Sequence, residues 1–165
     1  MKTISPLASA TEAMVLSSHP NVIVIDARGG ADARQRYDKA HLTGAIFFDL
    51  ETHLSKKDDP SNGGRHPLPD PSAFGALLGQ AGISPQSHLL VYDDKAGANA
   101  ASRFWWMMKS LGHEKIQVID GGIAALERAG ATLSQDSPSP RTALPAYPAQ
   151  AWLLPLADME TVDAA

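Results

Sequence analysis

Apolar residues fall along this chain in short continuous runs separated by polar, glycine-rich turns. Val22-Ile23-Val24-Ile25, Ala45-Ile46-Phe47-Phe48, Leu89-Leu90-Val91-Tyr92 and Ile116-Gln117-Val118-Ile119 are four residues long and rich in β-branched and aromatic side chains. Such runs mark strands covered on both faces. Helical segments lie between them. Ala8 to Ser18, with Leu7, Met14 and Val15 available for burial, is closed by His19-Pro20, and Ala31 to Ala40 is charged and solvent-facing. Pro71-Ser72 opens a helix whose Phe74, Leu77 and Leu78 recur at i, i+3, i+4 until Gly82. A largely buried helix from about Ala98 to Leu111 carries Phe104, Trp105, Met107 and Met108 and stops at Gly112, and another runs from Ile123 to Ala129 before Gly130. Strand and helix alternating in this way predict an α/β domain of three layers over residues 1–133, with a mostly parallel sheet, right-handed crossovers and helices on both faces.

Two stretches depart from the alternation. Leu50 to Asp70, with Lys57-Asp58-Asp59-Pro60 and Asn62-Gly63-Gly64, has no period, and a loop of that length in a compact domain is usually functional or mobile. Residues 134–154, with Ser137-Pro138-Ser139-Pro140, Pro145 and Pro148, read as an extended linker too poor in apolar runs to add to the core. Beyond it, Leu154-Pro155-Leu156-Ala157-Asp158 echoes the opening Ser5-Pro6-Leu7-Ala8-Ser9. That echo is either chance or the start, at 155–165, of a second repeat.

Composition narrows the partners. With 14 basic against 18 acidic residues, a net charge of −4 and no basic run, neither nucleic acid nor an anionic membrane is an expected partner. No apolar run spans a bilayer and the N-terminal residues lack a secretory pattern, so a soluble, cytoplasmic protein is expected. There are 0 cysteines, which removes disulfides, thiolate metal ligands and thiol catalysis from this chain.

Candidate chemistry gathers at strand ends, where the loops of a parallel sheet meet. Leu89 to Trp106 reads as strand, loop and helix start, the place for a nucleophile, but Asp93 and Asp94 stand there. Carboxylates accept hydrogen bonds readily and attack poorly. Asp26, Asp93 and Asp120 suit helix capping equally well, Arg28 either pairs with Asp26 or lines a cleft, and His41 braces a turn. Arg65-His66 either meets an anion or is solvated. Trp105 and Trp106 cannot share one helix face, so one belongs to the core and the other to a neighbour. Mg²⁺ held by Asp26, Asp93 and Asp94 for phosphoryl transfer is an alternative, disfavoured by the absence of an Asp-x-Asp after the first strand and of a glycine-lysine phosphate loop. The six histidines show no metal-ligand spacing.

Taken together, Val24-Ile25-Asp26-Ala27-Arg28, His41-Leu42-Thr43-Gly44-Ala45 with Phe48-Asp49, His66-Pro67-Leu68-Pro69, Val91-Tyr92-Asp93, Arg103-Phe104-Trp105-Trp106, Leu111-Gly112-His113 and Asp120-Gly121-Gly122 resemble the rhodanese-type sulfurtransferases, those acting on thiosulfate or 3-mercaptopyruvate. The match is to the amino-terminal domain of two-domain members. The resemblance implies that the catalytic cysteine, which carries sulfur as a persulfide from donor to acceptor, belongs to a C-terminal rhodanese domain of the same polypeptide, and that Asp93 stands where that cysteine would be. It implies an inactive domain whose Asn99 and Ala100 face the catalytic loop across an interdomain cleft that admits a small anionic sulfur donor; Arg28, Asp93 and Asp94 are the further cleft candidates, and no cofactor or metal is expected. The turn Asp94-Lys95-Ala96 departs from the glycine-rich form that lets amides converge on sulfur. Ahead of the second repeat no arginine lies nearer than Arg141, which bears on donor binding. A stand-alone inactive module that binds a partner through the Asp93 loop and the tryptophan helix is the other reading.

Overall fold

The computed structural model describes residues 4–56 and 64–164. Its elements are β1 (Leu7–Ala8), α1 (Ala10–Ser17), β2 (Val22–Arg28), α2 (Ala33–Lys39), β3 (His41–Leu42), β4 (Ile46–Asp49), α3 (Pro71–Gln80), β5 (His88–Tyr92), α4 (Ala100–Ser110), β6 (Ile116–Ile119), α5 (Gly122–Arg128), β7 (Leu133–Ser134) and α6 (Met159–Asp163). Five strands form a parallel sheet in the order β1-β6-β5-β2-β4, and β3 pairs antiparallel with β7 in a separate ribbon.

The continuous apolar runs fill both faces because strand side chains alternate. Ile23, Ile25, Ala27, Leu89 and Val91 point to one side, where Phe74 and Leu78 of α3 and Phe104, Met107 and Met108 of α4 complete the main core. Val24, Leu90 and Tyr92 point to the other, with Ala13 of α1 and Leu126 of α5. Helices therefore cover both faces, as the alternation predicts. Local chemistry sets the helix starts. Ser9 and Glu12 form a reciprocal capping box at α1, and Asp70 accepts from the amides of Ser72 and Ala73 just before Pro71.

Several expectations are corrected. Leu7 is not a helical core residue. Leu7–Ala8 is an edge strand, Leu7 and Val15 are exposed, and Ala13 is the buried residue of α1. A two-residue strand gains its hydrogen bonds from β6, far away in sequence, so local pattern does not announce it. Gln117, a polar residue inside β6, is satisfied there by the Leu7 carbonyl and the His88 ring.

The stretch from 134 onward is not idle either. Ser134 belongs to β7, and Tyr147 and Ala149 are buried in the main core with Trp152 against it. Of the long loop, Lys57 to Gly63 lie outside the described residues. Its first turn is ordered by burial of Leu50 and Leu54, and Arg103 of α4 donates to the Leu54, His66 and Pro67 carbonyls.

Candidate functional site

The strand order reverses between β2 and β5, where the chain first builds the sheet toward β4 and then returns to the opposite side. In open parallel sheets ligand-binding crevices form at such a reversal. At the end of β5 the Asp93 side chain turns into its own loop. Oδ1 accepts from the amides of Lys95 (2.8 Å) and Gly97 (2.7 Å), and Oδ2 accepts from those of Asn99 (3.1 Å) and Ala101 (3.1 Å). The residue is 1% exposed. Four backbone donors aimed at one buried carboxylate make a cradle for negative charge, with the first turn of α4 adding its dipole. The Asp94-Lys95-Ala96 turn thus does let amides converge. What brings this about is a pair of left-handed residues, Ala96 (φ 59°) and Gly97 (φ 85°), which swing alternate N–H groups inward.

A glycine pair in the turn after β6 accommodates this loop. The Asp93 carbonyl accepts from the Ile123 amide at 3.0 Å, and a Cβ on Gly122 would sit 2.3 Å from that carbonyl oxygen. The Asp120-Gly121-Gly122 motif is therefore fixed by close approach of the β5 loop. Asp120 is exposed and the residue capping α5 is Gly121.

The remaining candidates divide by burial. Arg28 is 3% exposed and holds Asp26 through two parallel bonds of 2.7 Å, with a third to the Ala40 carbonyl. It is sealed into the domain, and Asp26 is its partner and not a helix cap. Burial pushes the Asp26 carboxyl above its ordinary range against the pull of Arg28, and burial next to Asp26 also raises Tyr92. The Tyr92 hydroxyl accepts from the Leu42 amide at 2.8 Å. Burial raises Tyr37 to about 12, and its hydroxyl donates to the Ala45 carbonyl. His41 stacks on Tyr37 and reaches the carbonyls of Tyr37 and Asp136, bracing the β3–β7 ribbon. His66 pairs with Glu51 at 2.9 Å.

At the surface of the same edge, Asp94 accepts from Arg36 Nε at 2.7 Å, while Arg36 also donates to the Gly29 carbonyl and to Asp32. Arg36 thereby ties the β5 loop to the β2 loop. Asn99 is exposed and Ala100 buried. Asp93, Asp94, Asn99 and Ala100 share one loop, and Arg28 lies one strand away. The pattern of the sequence did not single out Arg36, whose tie between the two loops depends on Asp94, 58 residues further along the chain. Trp105 and Trp106 are both half-buried against the core, and the neighbour of Trp106 is Trp152 of this same chain.

Chemically the loop holds an anion and offers no nucleophile. The Asp93 oxygens are committed to four amides and those of Asp26 to Arg28, so neither is free to ligate Mg²⁺. Among the described residues no three His, Asp or Glu side chains converge. Among the same residues no helix is long and apolar enough to cross a membrane.

Residues 9–129 match the model of the rhodanese-like domain. The chain is 36% identical over 140 residues to a probable 3-mercaptopyruvate sulfurtransferase of Pseudomonas aeruginosa, covering 82% of this chain and 49% of that protein. It is 33% identical over 130 residues to the thiosulfate sulfurtransferase of Rattus norvegicus, covering 76% and 42%. The solved 3-mercaptopyruvate sulfurtransferase from Leishmania major superposes with a TM-score of 0.78 at 30% identity, over 90% of this chain and 42% of that one. The chain spans about half the length of the curated relatives it matches or less.

Proposed function

The chain belongs to the rhodanese-like domain family, and from that premise we propose that it is the amino-terminal, catalytically inactive domain of a two-domain sulfurtransferase. It is homologous to the 3-mercaptopyruvate and thiosulfate sulfurtransferases and contains 0 cysteines. The observation that carries the proposal is the Asp93 carboxylate seated on four amides. A thiolate in that seat is nucleophilic and accepts a sulfur atom; a carboxylate fills the same electrostatic role and cannot form a persulfide. The resident negative charge also cancels the field of the amides. A small anionic sulfur donor is then drawn to the cysteine-bearing loop of the partner domain, and this domain supplies one wall of the cleft through Asp94, Lys95 and Asn99.

Two features support a second repeat of the same polypeptide as the partner. In Pro6-Leu7-Ala8-Ser9 and Pro155-Leu156-Ala157-Asp158 the fourth residue caps a helix by accepting from the amide three residues on, Glu12 in one case and Thr161 in the other. The terminal stretch also exposes Leu153, Leu154, Leu156, Met159 and Val162, an apolar set that a following domain would cover.

The test is to read the coding sequence past Ala165 and weigh the natural gene product. A downstream rhodanese-like repeat with a cysteine in the loop after its fourth strand is expected. A product that ends near Ala165 contradicts the proposal and favours the stand-alone module.

A further inference from the structure

The segment after β7 lies against α3 as backbone on backbone. Gly75 and Gly79, four residues apart, share one face of that helix. The Tyr147 amide donates to the Gly75 carbonyl at 2.9 Å and the Leu144 amide to the Gly79 carbonyl at 2.8 Å. A Cβ on Gly75 would stand 2.5 Å from the Tyr147 carbonyl oxygen, and one on Gly79 2.5 Å from that of Pro145. Only glycine leaves room at either place.

Side chains extend the attachment. The Tyr147 hydroxyl meets His113 Nδ1 at 2.9 Å, and the Trp152 ring packs between Phe74 (6.1 Å between centroids) and Trp106 (6.0 Å). The last tie is the Leu153 amide, which donates to the Ser110 carbonyl at 2.7 Å. From Leu153 to Val162 the apolar side chains face outward.

We infer that residues 144–153 are a strap seated on the Gly75/Gly79 face of α3, which fixes the point at which the chain leaves this domain. What reads as a flexible spacer is then a positioning element. On the two-domain reading above, which this consequence rests on, the next domain starts from a set position, and a helix remote from the cleft governs how the cleft is assembled. The strap itself is testable without that reading.

Gly75→Ala and Gly79→Ala favour the helix intrinsically, since alanine is the better helix former, yet drive a methyl into the strap backbone. Amide hydrogen exchange of the 165-residue chain should show Leu144, Tyr147 and Leu153 exchanging at least tenfold faster in both variants, with Ile25 and Leu90 unchanged. Strap amides as protected as in the parent overturn the inference, as does an equal loss of protection across strap and sheet. A second readout includes an arm on the unaltered glycines, free of any folding penalty from their substitution. With 0 native cysteines, a pair of nitroxides can be placed in one molecule through the double substitution Glu127→Cys and Leu153→Cys, both at exposed positions. The parent should give one narrow distance distribution that broadens when Gly79→Ala is added. A distribution already broad in the parent contradicts a fixed exit.

Discussion

At the scale of single residues, Asp93 has a requirement that shape alone does not express. Its two oxygens each face two N–H donors, so the site demands four acceptor positions and a negative charge. Asp93→Asn keeps the volume but turns an NH₂ group toward two amides, and should cost about 2–4 kcal/mol in denaturant unfolding, since charge-assisted bonds are lost and donors face donors. Asp93→Cys retains an ionisable group. The amides should hold the new thiol below the ordinary value of about 8.5, read from the ultraviolet absorbance of the thiolate against pH. A thiol titrating at or above that value would show that burial outweighs the amides. Ala96, at φ 59°, carries a strain of roughly 1–2 kcal/mol that glycine avoids. Ala96→Gly should therefore be neutral or stabilising by up to about 1 kcal/mol after its greater unfolded entropy is counted, and Ala96→Val destabilising in the same melt.

At the scale of elements, the loop after β5 and the turn after β6 are one unit, because the Asp93 carbonyl occupies the space beside Gly122. Gly122→Ala meets both a 2.3 Å contact and a φ of 58°. It should destabilise the domain by about 2 kcal/mol or more and loosen the Lys95 and Gly97 amides in hydrogen exchange. The sequence shows why part of this architecture is legible and part is not. Val22 to Ile25 and Leu89 to Tyr92 declare buried strands by composition, and the Pro71 and Gly112 boundaries by local backbone chemistry. The strand at Leu7–Ala8, the Arg36–Asp94 tie and the seat of Tyr147 on Gly75 all depend on partners far along the chain, which no local period records. The amide cradle escaped pattern reading for a related reason. Its left-handed pair is Ala96-Gly97, and alanine seldom signals that conformation.

At the scale of the whole molecule, one buried imidazole, His113, and one half-buried, His53, link stability to pH. Burial lowers the pKa of both His53 and His113, the latter set between the Tyr147 hydroxyl and the Lys115 carbonyl. Below the unfolded value of about 6.5 the unfolded chain takes up protons that the folded chain refuses. Their contribution is thus complete above about pH 6.5 and lost as the pH falls through the lowered folded values. The unfolding midpoint should drop between about pH 7 and pH 5.5, and His113→Gln should flatten that slope; a midpoint that rises on acidification contradicts the linkage.

The domain as a whole pairs a buried loop of four inward amides with an oxygen acid at its centre. The most direct test is sulfur transfer from thiosulfate or 3-mercaptopyruvate to cyanide, assayed on the purified 165-residue chain alone and again joined to the cysteine-bearing repeat that the proposal expects downstream. The chain alone should give no turnover above the uncatalysed rate and the joined protein should be active. Turnover by the chain alone would contradict the account, since the reacting atom would then lie within it.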